Sequence, residues 1–163
     1  MAALIVLVEQ NFGIAKNGTI PWSFPQDRIF FHQTTQGAPL IVGRKTFLTL
    51  PQQAFANKTL LVLSRTCSHL PGVQVFSTLE IALMHYPQAW IIGGAMVYYT
   101  ALSQGCVDRI YLTRTHRSHD ADLFLTASYL DSFSFYLLRS APQADFLLGL
   151  RKKYPARSHV SAL

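Results

Sequence analysis

The stretch Ile20-Pro21-Trp22-Ser23-Phe24-Pro25-Gln26-Asp27-Arg28-Ile29-Phe30-Phe31 leads out of a loop and into a helix. Pro25 suits the first turn of a helix, because its missing N–H would have no partner there. Asp27 then lies in the same turn, where the helix macrodipole favours negative charge. Asp27 is therefore either a water-facing acid at a helix start, or a carboxylate in an apolar cleft. In the cleft, desolvation would raise its pKa and make it available for proton chemistry.

The composition predicts one globular domain that binds an anionic small molecule. Of the 163 residues, 50% are hydrophobic and 13% are charged, which favours a packed core over disorder. The formal net charge of +6 suits a phosphate or carboxylate ligand. The basic residues are scattered, and their densest group is Arg151-Lys152-Lys153. We therefore expect no nucleic acid partner, because a binding arm would carry a longer basic block.

The cysteines and apolar runs predict a soluble, cytoplasmic protein. Cys67 and Cys106 lie far apart and fit neither a metal nor a redox spacing, so we expect partly buried thiols in a reducing compartment and no metal. Residues 1–9 have no basic leader, and their apolar run ends too early for a signal peptide. The longest apolar run, residues 89–102, is interrupted by Gly93-Gly94 and is shorter than the about 20 residues that a membrane span needs.

Short apolar runs separated by turn signals predict an α/β fold with a mostly parallel sheet. The predicted strands are Leu4–Val8, Leu40–Val42, Leu60–Leu63, Val73–Phe76, Ala89–Ile92, Asp108–Thr115, Ser132–Leu138 and Asp145–Leu150. The predicted helices are Pro25 to near Gly37, a short one opened by residues 43–46, Thr78–His85, and one from Gly93-Gly94 to about Ser103. Asn17-Gly18 is a turn signal, so residues 11–19 are predicted to be a loop.

The end of the chain completes this prediction. The last two strands should form an antiparallel hairpin at the sheet edge, since nothing long separates them. Residues 1–154 are predicted to form the single domain, and residues 155–163 a polar tail.

Glycines and basic residues follow three predicted strands, at the edge where a parallel sheet binds ligands. Gly43-Arg44-Lys45-Thr46 follows the second strand, Ser64-Arg65 the third and Gly93-Gly94 the fifth. Glycine lets a phosphate approach the backbone, and helix N-termini supply free N–H donors. A lone Gly-Gly pair is usually only a turn, but the three segments together predict a phosphate-bearing cofactor. The basic groups after two neighbouring strands would suit the extra phosphate of NADP.

In this order and spacing, these motifs resemble the dihydrofolate reductase family over nearly the whole chain. The resemblance is carried by residues 13–22, Pro25, Asp27, and residues 42–47, 62–65, 91–98 and 111–113. It implies an eight-stranded mixed sheet, mostly parallel with a C-terminal antiparallel hairpin, flanked by about four helices. It also implies a monomeric enzyme that reduces dihydrofolate to tetrahydrofolate by hydride transfer from NADPH and that binds antifolates. The family geometry predicts a cis peptide bond between Gly93 and Gly94.

The resemblance further implies roles for individual residues. Asp27 would hold the pterin ring with the support of Thr113, while Trp22 positions a water molecule and Ile20 shields the reaction from solvent. The substrate-binding residues would be Ile5, Val6, Asp27, Arg28, Phe31, Leu50, Lys58, Ile92 and Thr113. The cofactor-binding residues would be Leu7, Ile14, Gly43, Arg44, Lys45, Thr46, Leu63, Ser64, Arg65, Ile92, Gly93, Gly94, Ala95, Met96, Val97 and Tyr98. Asp122 resembles the acid that hydrogen-bonds the family's mobile loop.

Two basic residues depart from the family pattern. Lys58, or Asn57 if the insertion falls differently, stands where most members have an arginine that forks onto the substrate's α-carboxylate; lysine cannot make that bidentate pair. Arg28 replaces a usually apolar residue, and it either pairs with the substrate's glutamate or points to solvent. These changes leave two alternatives open: a reductase of another pterin or pyrimidine intermediate, and a non-catalytic binding protein on the same fold.

Overall fold

The chain alternates strands and helices, as its apolar runs predict. The structure is a computed structural model that describes residues 1–22 and 24–153. Its elements are β1 (Ala2–Val8), β2 (Gly13–Ala15), α1 (Pro25–Thr34), β3 (Leu40–Gly43), α2 (Arg44–Phe47), β4 (Leu60–Leu63), β5 (Gln74–Phe76), α3 (Leu79–His85), β6 (Trp90–Gly93), α4 (Ala95–Ser103), β7 (Val107–Thr115), β8 (Leu123–Phe124), β9 (Phe133–Ser140) and β10 (Ala144–Arg151). The predicted strands and helices agree with these bounds to within a few residues.

The main sheet has eight strands in the order β5-β4-β3-β6-β1-β7-β10-β9. Strand β1 lies inside the sheet and pairs in parallel with β6 and β7. Every residue of β1 is buried, which explains its unbroken apolar sequence. Strands β10 and β9 are antiparallel and close one edge. The predicted mixed sheet with a C-terminal hairpin is confirmed.

The segment predicted as a loop at residues 11–19 contains a strand, so that prediction is wrong in part. Strand β2 pairs antiparallel with β8 in a separate two-stranded ribbon. Strands of two or three residues are too short to give a readable alternation of polar and apolar side chains. The predicted turn is present: Asn17 and Gly18 have φ of 49° and 75°, and Lys16 and Thr19 exchange backbone hydrogen bonds of 2.9 and 3.0 Å.

Helix α1 begins at Pro25 and carries Asp27 in its first turn, as predicted. It ends at Thr34, earlier than the predicted end near Gly37. The Thr35 hydroxyl donates to the Phe31 carbonyl at 2.8 Å, and Gly37 then adopts a φ of 73°. A side-chain bond to the last turn competes with continued helix, and the left-handed glycine redirects the chain.

Three remaining predictions concern the thiols, membrane spans and the tail. Cys67 and Cys106 are free and half-buried. None of the helices in the described ranges is long and apolar enough to cross a membrane. The predicted tail, residues 155–163, lies outside the described residues.

Candidate active site

Asp27 lies beside Thr113 of β7 and is partly buried. Desolvation raises the pKa of the Asp27 carboxyl, while the Thr113 hydroxyl and the Arg28 guanidinium partly offset that rise. Thr113 is itself buried, and its Oγ1 has no hydrogen-bond partner of normal geometry among the described residues. The structure therefore supports the cleft interpretation of Asp27, with hydrogen-bonding capacity left over for a ligand.

Trp22 is buried in a small apolar cluster with Leu7 and Phe24. Leu7 pairs in register with Thr113, so this cluster adjoins the strand position that faces Asp27. Within the described part of the chain, the Trp22 indole N–H has no acceptor. A buried donor without an acceptor suits an ordered water or a polar ligand. Ile20, two residues earlier, is 49% exposed.

Tyr98 of α4 joins two strands at the same cleft. Its hydroxyl lies 2.9 Å from the Ile5 carbonyl of β1 and 2.8 Å from the Ile92 carbonyl of β6. Burial raises the pKa of the Tyr98 hydroxyl, and the negative charge of Asp27 raises it further. Tyr98 is therefore a neutral donor within electrostatic reach of Asp27.

The glycines predicted to hold a cofactor meet at one sheet edge. Gly43 pairs with Leu63 of β4, and Val42 pairs with Gly93 of β6. The Gly93–Gly94 peptide bond is cis, as the resemblance predicts. A Cβ on Gly94 would lie 2.4 Å from Thr46 Oγ1, so the backbone packs closely there. Neither α2 nor α4 has a side-chain N-cap, which leaves their first N–H groups free for an anion.

Basic side chains stand around this edge. Lys45 and Arg65 are exposed and Arg44 is half-buried. None of the three forms an ion pair with any residue that the structure describes. Ser64 Oγ accepts the Cys67 N–H at 3.0 Å, so part of its hydrogen-bonding capacity is used within the turn that follows β4. The edge thus offers close backbone, free N–H groups and uncompensated positive charge, which fit a phosphate-bearing cofactor such as NADPH.

The other residues predicted to bind cofactor or substrate lie on strands β1, β2, β4 and β6 or in the helices and loops between strands. Ile5, Val6 and Leu7 are buried on β1, and Ile14 is buried on β2. The remaining ones are half-buried Phe31, Leu50, Leu63, Ile92 and Ala95, buried Val97, and exposed Met96. Successive residues of a strand point to opposite faces of the sheet, so Val6 faces the other way from Ile5 and Leu7. Met96 is 73% exposed.

The two departures from the family pattern lie at opposite ends of α1. Arg28 is exposed in its first turn. Lys58 lies at the far end, where its Nζ is 3.4 Å from both the carbonyl and the hydroxyl oxygen of Thr35. Near it the Phe31 and Phe55 rings pack edge to face at 5.9 Å. Lys58 is thus partly engaged by the protein itself.

Contacts between two loops set the position of the segment before Trp22. The Asn17 N–H donates to Asp122 Oδ2 at 2.8 Å, and the Asp122 N–H donates to the Ala15 carbonyl at 3.0 Å. The bond predicted for Asp122 is confirmed. The sequence did not reveal the contact of Glu9 with His119, which joins the turn between β1 and β2 to the β7–β8 connection: Glu9 is wholly buried and accepts the His119 N–H. An acid directly after an apolar strand was the only available signal.

A separate depression of about 530 Å³ lies at the opposite edge of the sheet, where the strands begin. Its lining includes Met1, Met84, Glu80 and Cys106. Burial raises the pKa of the Cys106 thiol, which disfavours the reactive thiolate. Trp22 Nε1 and Thr113 Oγ1, two of the buried polar atoms without a partner among the described residues, belong to residues outside this lining. We therefore assign the candidate site to the cleft around Asp27.

Comparison with known proteins gives consistent matches. A family model described as dihydrofolate reductase matches residues 1–145. The dihydrofolate reductase of Drosophila melanogaster is 32% identical, covering 92% of this chain and 90% of the relative. Those of Bacillus subtilis and Haemophilus influenzae are 30% and 33% identical. Each of these two alignments covers 75% of this chain, with 73% and 76% of the respective relative.

Proposed function

This chain belongs to the dihydrofolate reductase family, and we propose that it reduces dihydrofolate to tetrahydrofolate with NADPH as the hydride donor. The observation that carries the proposal is the environment of Asp27. Its carboxyl has a pKa raised by desolvation, and it faces the Thr113 hydroxyl, which has no hydrogen bond of normal geometry among the described residues. Such a pair matches a ligand that offers two N–H donors and needs a proton nearby.

In this proposal Asp27 binds the 2-amino group and the adjacent ring nitrogen of the pterin. The Thr113 hydroxyl donates to the Asp27 carboxylate and accepts from the pterin. The Trp22 N–H donates to an ordered water beside the ring. The support for the role of Thr113 is that its hydroxyl faces Asp27 and lowers the pKa of that carboxyl. The support for the role of Trp22 is that its buried N–H has no partner in the described structure, since such groups are rare unless a ligand or water completes them.

Proton placement is the chemical task of the Asp27 site. A carboxylate in a region of low dielectric stabilises the cationic, protonated pterin, whose imine carbon is the better hydride acceptor. When bound, NADPH supplies the hydride to that carbon, and the adjacent ring nitrogen takes the proton. The loop containing Ile20 covers the reacting atoms and excludes water, and the walls formed by Ile5, Val6, Leu50 and Ile92 hold the ring in place.

The cofactor would lie along the sheet edge described above. The uncapped N-termini of α2 and α4 and the close backbone at Gly43 and residues 93–94 suit the phosphate groups. Ser64, Arg65 and the pair Arg44-Lys45 suit the additional phosphate of NADPH. Leu7, Ile14, residues 95–97 and Tyr98 would line the nicotinamide end.

For the glutamate end of the substrate, we propose that Arg28 and Lys58 share the task of the missing arginine. Arg28 is exposed and free to turn toward a carboxylate. A second candidate function, reduction of a pterin without a glutamate tail, is favoured by one observation: Lys58 already contacts Thr35, so its capacity for a carboxylate is reduced. We also propose a monomer. We place it in the cytoplasm, a reducing compartment that suits the two free thiols.

A spectrophotometric assay of NADPH oxidation tests both candidates. Dihydrofolate should support oxidation, and a 2,4-diaminopyrimidine or a pteridine antifolate should stop it. A pterin without the glutamate tail should be used with a much higher KM. Equal efficiency with both substrates would favour the second candidate. Binding of NADPH without oxidation by any pterin would indicate the non-catalytic alternative and refute the proposed function.

A further inference from the structure

Glu9 is a buried acid that the proposed chemistry does not use. It follows β1 directly and is 0% exposed. Its backbone N–H donates to the Gly13 carbonyl at 2.8 Å, and its carbonyl accepts the Phe12 N–H at 2.9 Å. These bonds form the tight turn between β1 and β2, so the Glu9 side chain is held by a rigid backbone.

The Glu9 carboxyl group reaches across to the connection between β7 and β8. One oxygen, Oε2, accepts the backbone N–H of His119. The other, Oε1, is buried and has no partner among the described residues. It lies against the Gly13 α-carbon, where a Cβ would come within 2.4 Å of it and within 2.2 Å of the Ala121 methyl group. The space for the carboxyl therefore exists only because residue 13 is a glycine.

The His119 side chain in turn contacts Trp22. Its imidazole ring lies flat on the Trp22 indole, with centroids 5.6 Å apart and planes inclined by 15°. His119 is an exposed residue, and its N–H bond to Glu9 links it to the buried end of β1. Glu9, His119 and Trp22 thus form one chain of contacts from the end of β1 to the indole.

We propose that Glu9 is a positioning residue for the reaction, acting through His119 to fix Trp22. This inference rests on the proposed function, in which the Trp22 N–H orders a water beside the pterin. The neighbouring bond from Asn17 to Asp122 is exposed and joins the turn after β2 to the same β7–β8 connection. The bond from the His119 N–H to Glu9 is buried at its Glu9 end, and a hydrogen bond shielded from water is stronger than an exposed one.

The test compares four variants in a Trp90→Phe background, in which Trp22 is the only tryptophan. Glu9→Gln keeps an acceptor oxygen for the His119 N–H, whereas Glu9→Leu fills the same space without one. His119→Ala removes the stacked ring and leaves the backbone N–H. Asp120→Asn is the matched control, because Asp120 is adjacent and exposed and its only ion pair is a 3.9 Å contact with Lys16 in the described structure.

Two measurements are made on each folded variant: Trp22 emission without ligands, and kcat and KM with dihydrofolate and NADPH. Glu9→Leu and His119→Ala should shift Trp22 emission to longer wavelength and lower kcat about tenfold, because misplaced positioning groups cost rate. The KM for NADPH should stay within about twofold, since the cofactor edge is untouched. Glu9→Gln and Asp120→Asn should match the parent protein.

Each outcome decides between the two proposals. If folded Glu9→Leu keeps the parent's emission and kcat, or if Glu9→Gln loses as much as Glu9→Leu, the positioning role is wrong while reductase activity stands. If the parent protein does not reduce dihydrofolate, the proposed function fails. The emission shifts then still report whether Glu9 and His119 hold Trp22.

Discussion

Replacing Asp27 with asparagine keeps the shape of the side chain and removes its charge and its proton. Between residues 10 and 79 Asp27 is the only acid in the sequence. Loss of a positioned proton-transfer group costs about 10²–10⁴-fold in rate, which is roughly 3–5 kcal/mol of transition-state stabilisation. We expect that loss in kcat/KM for dihydrofolate at neutral pH, with NADPH affinity almost unchanged. The deficit should shrink at acid pH, where bulk water supplies the proton.

The same variant should be more stable than the parent protein at neutral pH. Burial raises the pKa of Asp27 above its usual value of 3.8, so the folded state binds the proton more tightly than the unfolded state does. The stability that comes from this difference is fully present below pH 3.8 and is lost as pH rises through the folded-state pKa. Asparagine has no charge to desolvate. The stability of Asp27→Asn relative to the parent should therefore rise as pH increases through the folded-state pKa of Asp27, and should stay constant at higher pH.

Thermal unfolding measured against pH checks this, because each kcal/mol corresponds to about 2–4 °C in Tm for a domain of this size. Asp131→Asn, which changes an exposed acid, is the control and should alter neither activity nor Tm. If Asp27→Asn kept full activity, Asp27 would have no part in the mechanism. A lower Tm than the parent at neutral pH would mean that the carboxylate is stabilised by the fold, contrary to its raised pKa.

Four further substitutions test other parts of the molecule. Thr113→Val removes a hydroxyl that lowers the pKa of Asp27, so the pH–rate profile should move to higher pH; an unmoved profile would contradict this. Arg65→Ala should raise the KM for NADPH about tenfold and leave that for NADH unchanged, whereas equal changes would exclude a 2′-phosphate contact. Arg28→Leu should raise the KM for dihydrofolate but not for a tail-free pterin, and should tighten binding of diaminopyrimidines; an unchanged KM would rule out a contact with glutamate. Thr78→Ala removes the N-cap that accepts the Ile81 N–H at 3.2 Å; it should cost about 1 kcal/mol, seen as a lower Tm with unchanged kcat.

The sheet was predictable because its central strands are buried on both faces. A strand such as β1, with seven buried residues, must be apolar throughout, and a sequence shows that without any knowledge of the partners. The start of α1 was predictable for an equally local reason: Pro25 and Asp27 are suited to a first helical turn. Local chemistry of this kind is visible in a single sequence.

The contacts of Glu9 and the ribbon of β2 and β8 were not predictable, because they depend on residues far apart in the chain. Glu9 and His119 are separated by 110 positions, and no sequence motif next to either residue indicates that they are in contact. An acid after a strand normally faces water. Only the folded structure shows that Gly13, which has no Cβ, leaves space for the Glu9 carboxyl in the protein interior. Lys58 is a further example, since its contact with the end of α1 follows from tertiary structure alone.

Arg28 lies beside Asp27 and is also proposed to contact the substrate's glutamate tail. Its effect on Asp27 and its contact with the tail can be measured separately. Its positive charge lowers the pKa of Asp27 whether or not the substrate carries a glutamate tail. A contact with the tail, by contrast, exists only for a tailed substrate. In Arg28→Leu the pH–rate profile should therefore shift both with dihydrofolate and with a tail-free pterin, while the KM changes only for dihydrofolate. A shift in pH dependence without a change in KM would mean that Arg28 tunes the proton affinity of Asp27 and that the glutamate is held elsewhere, with Lys58 the nearest candidate.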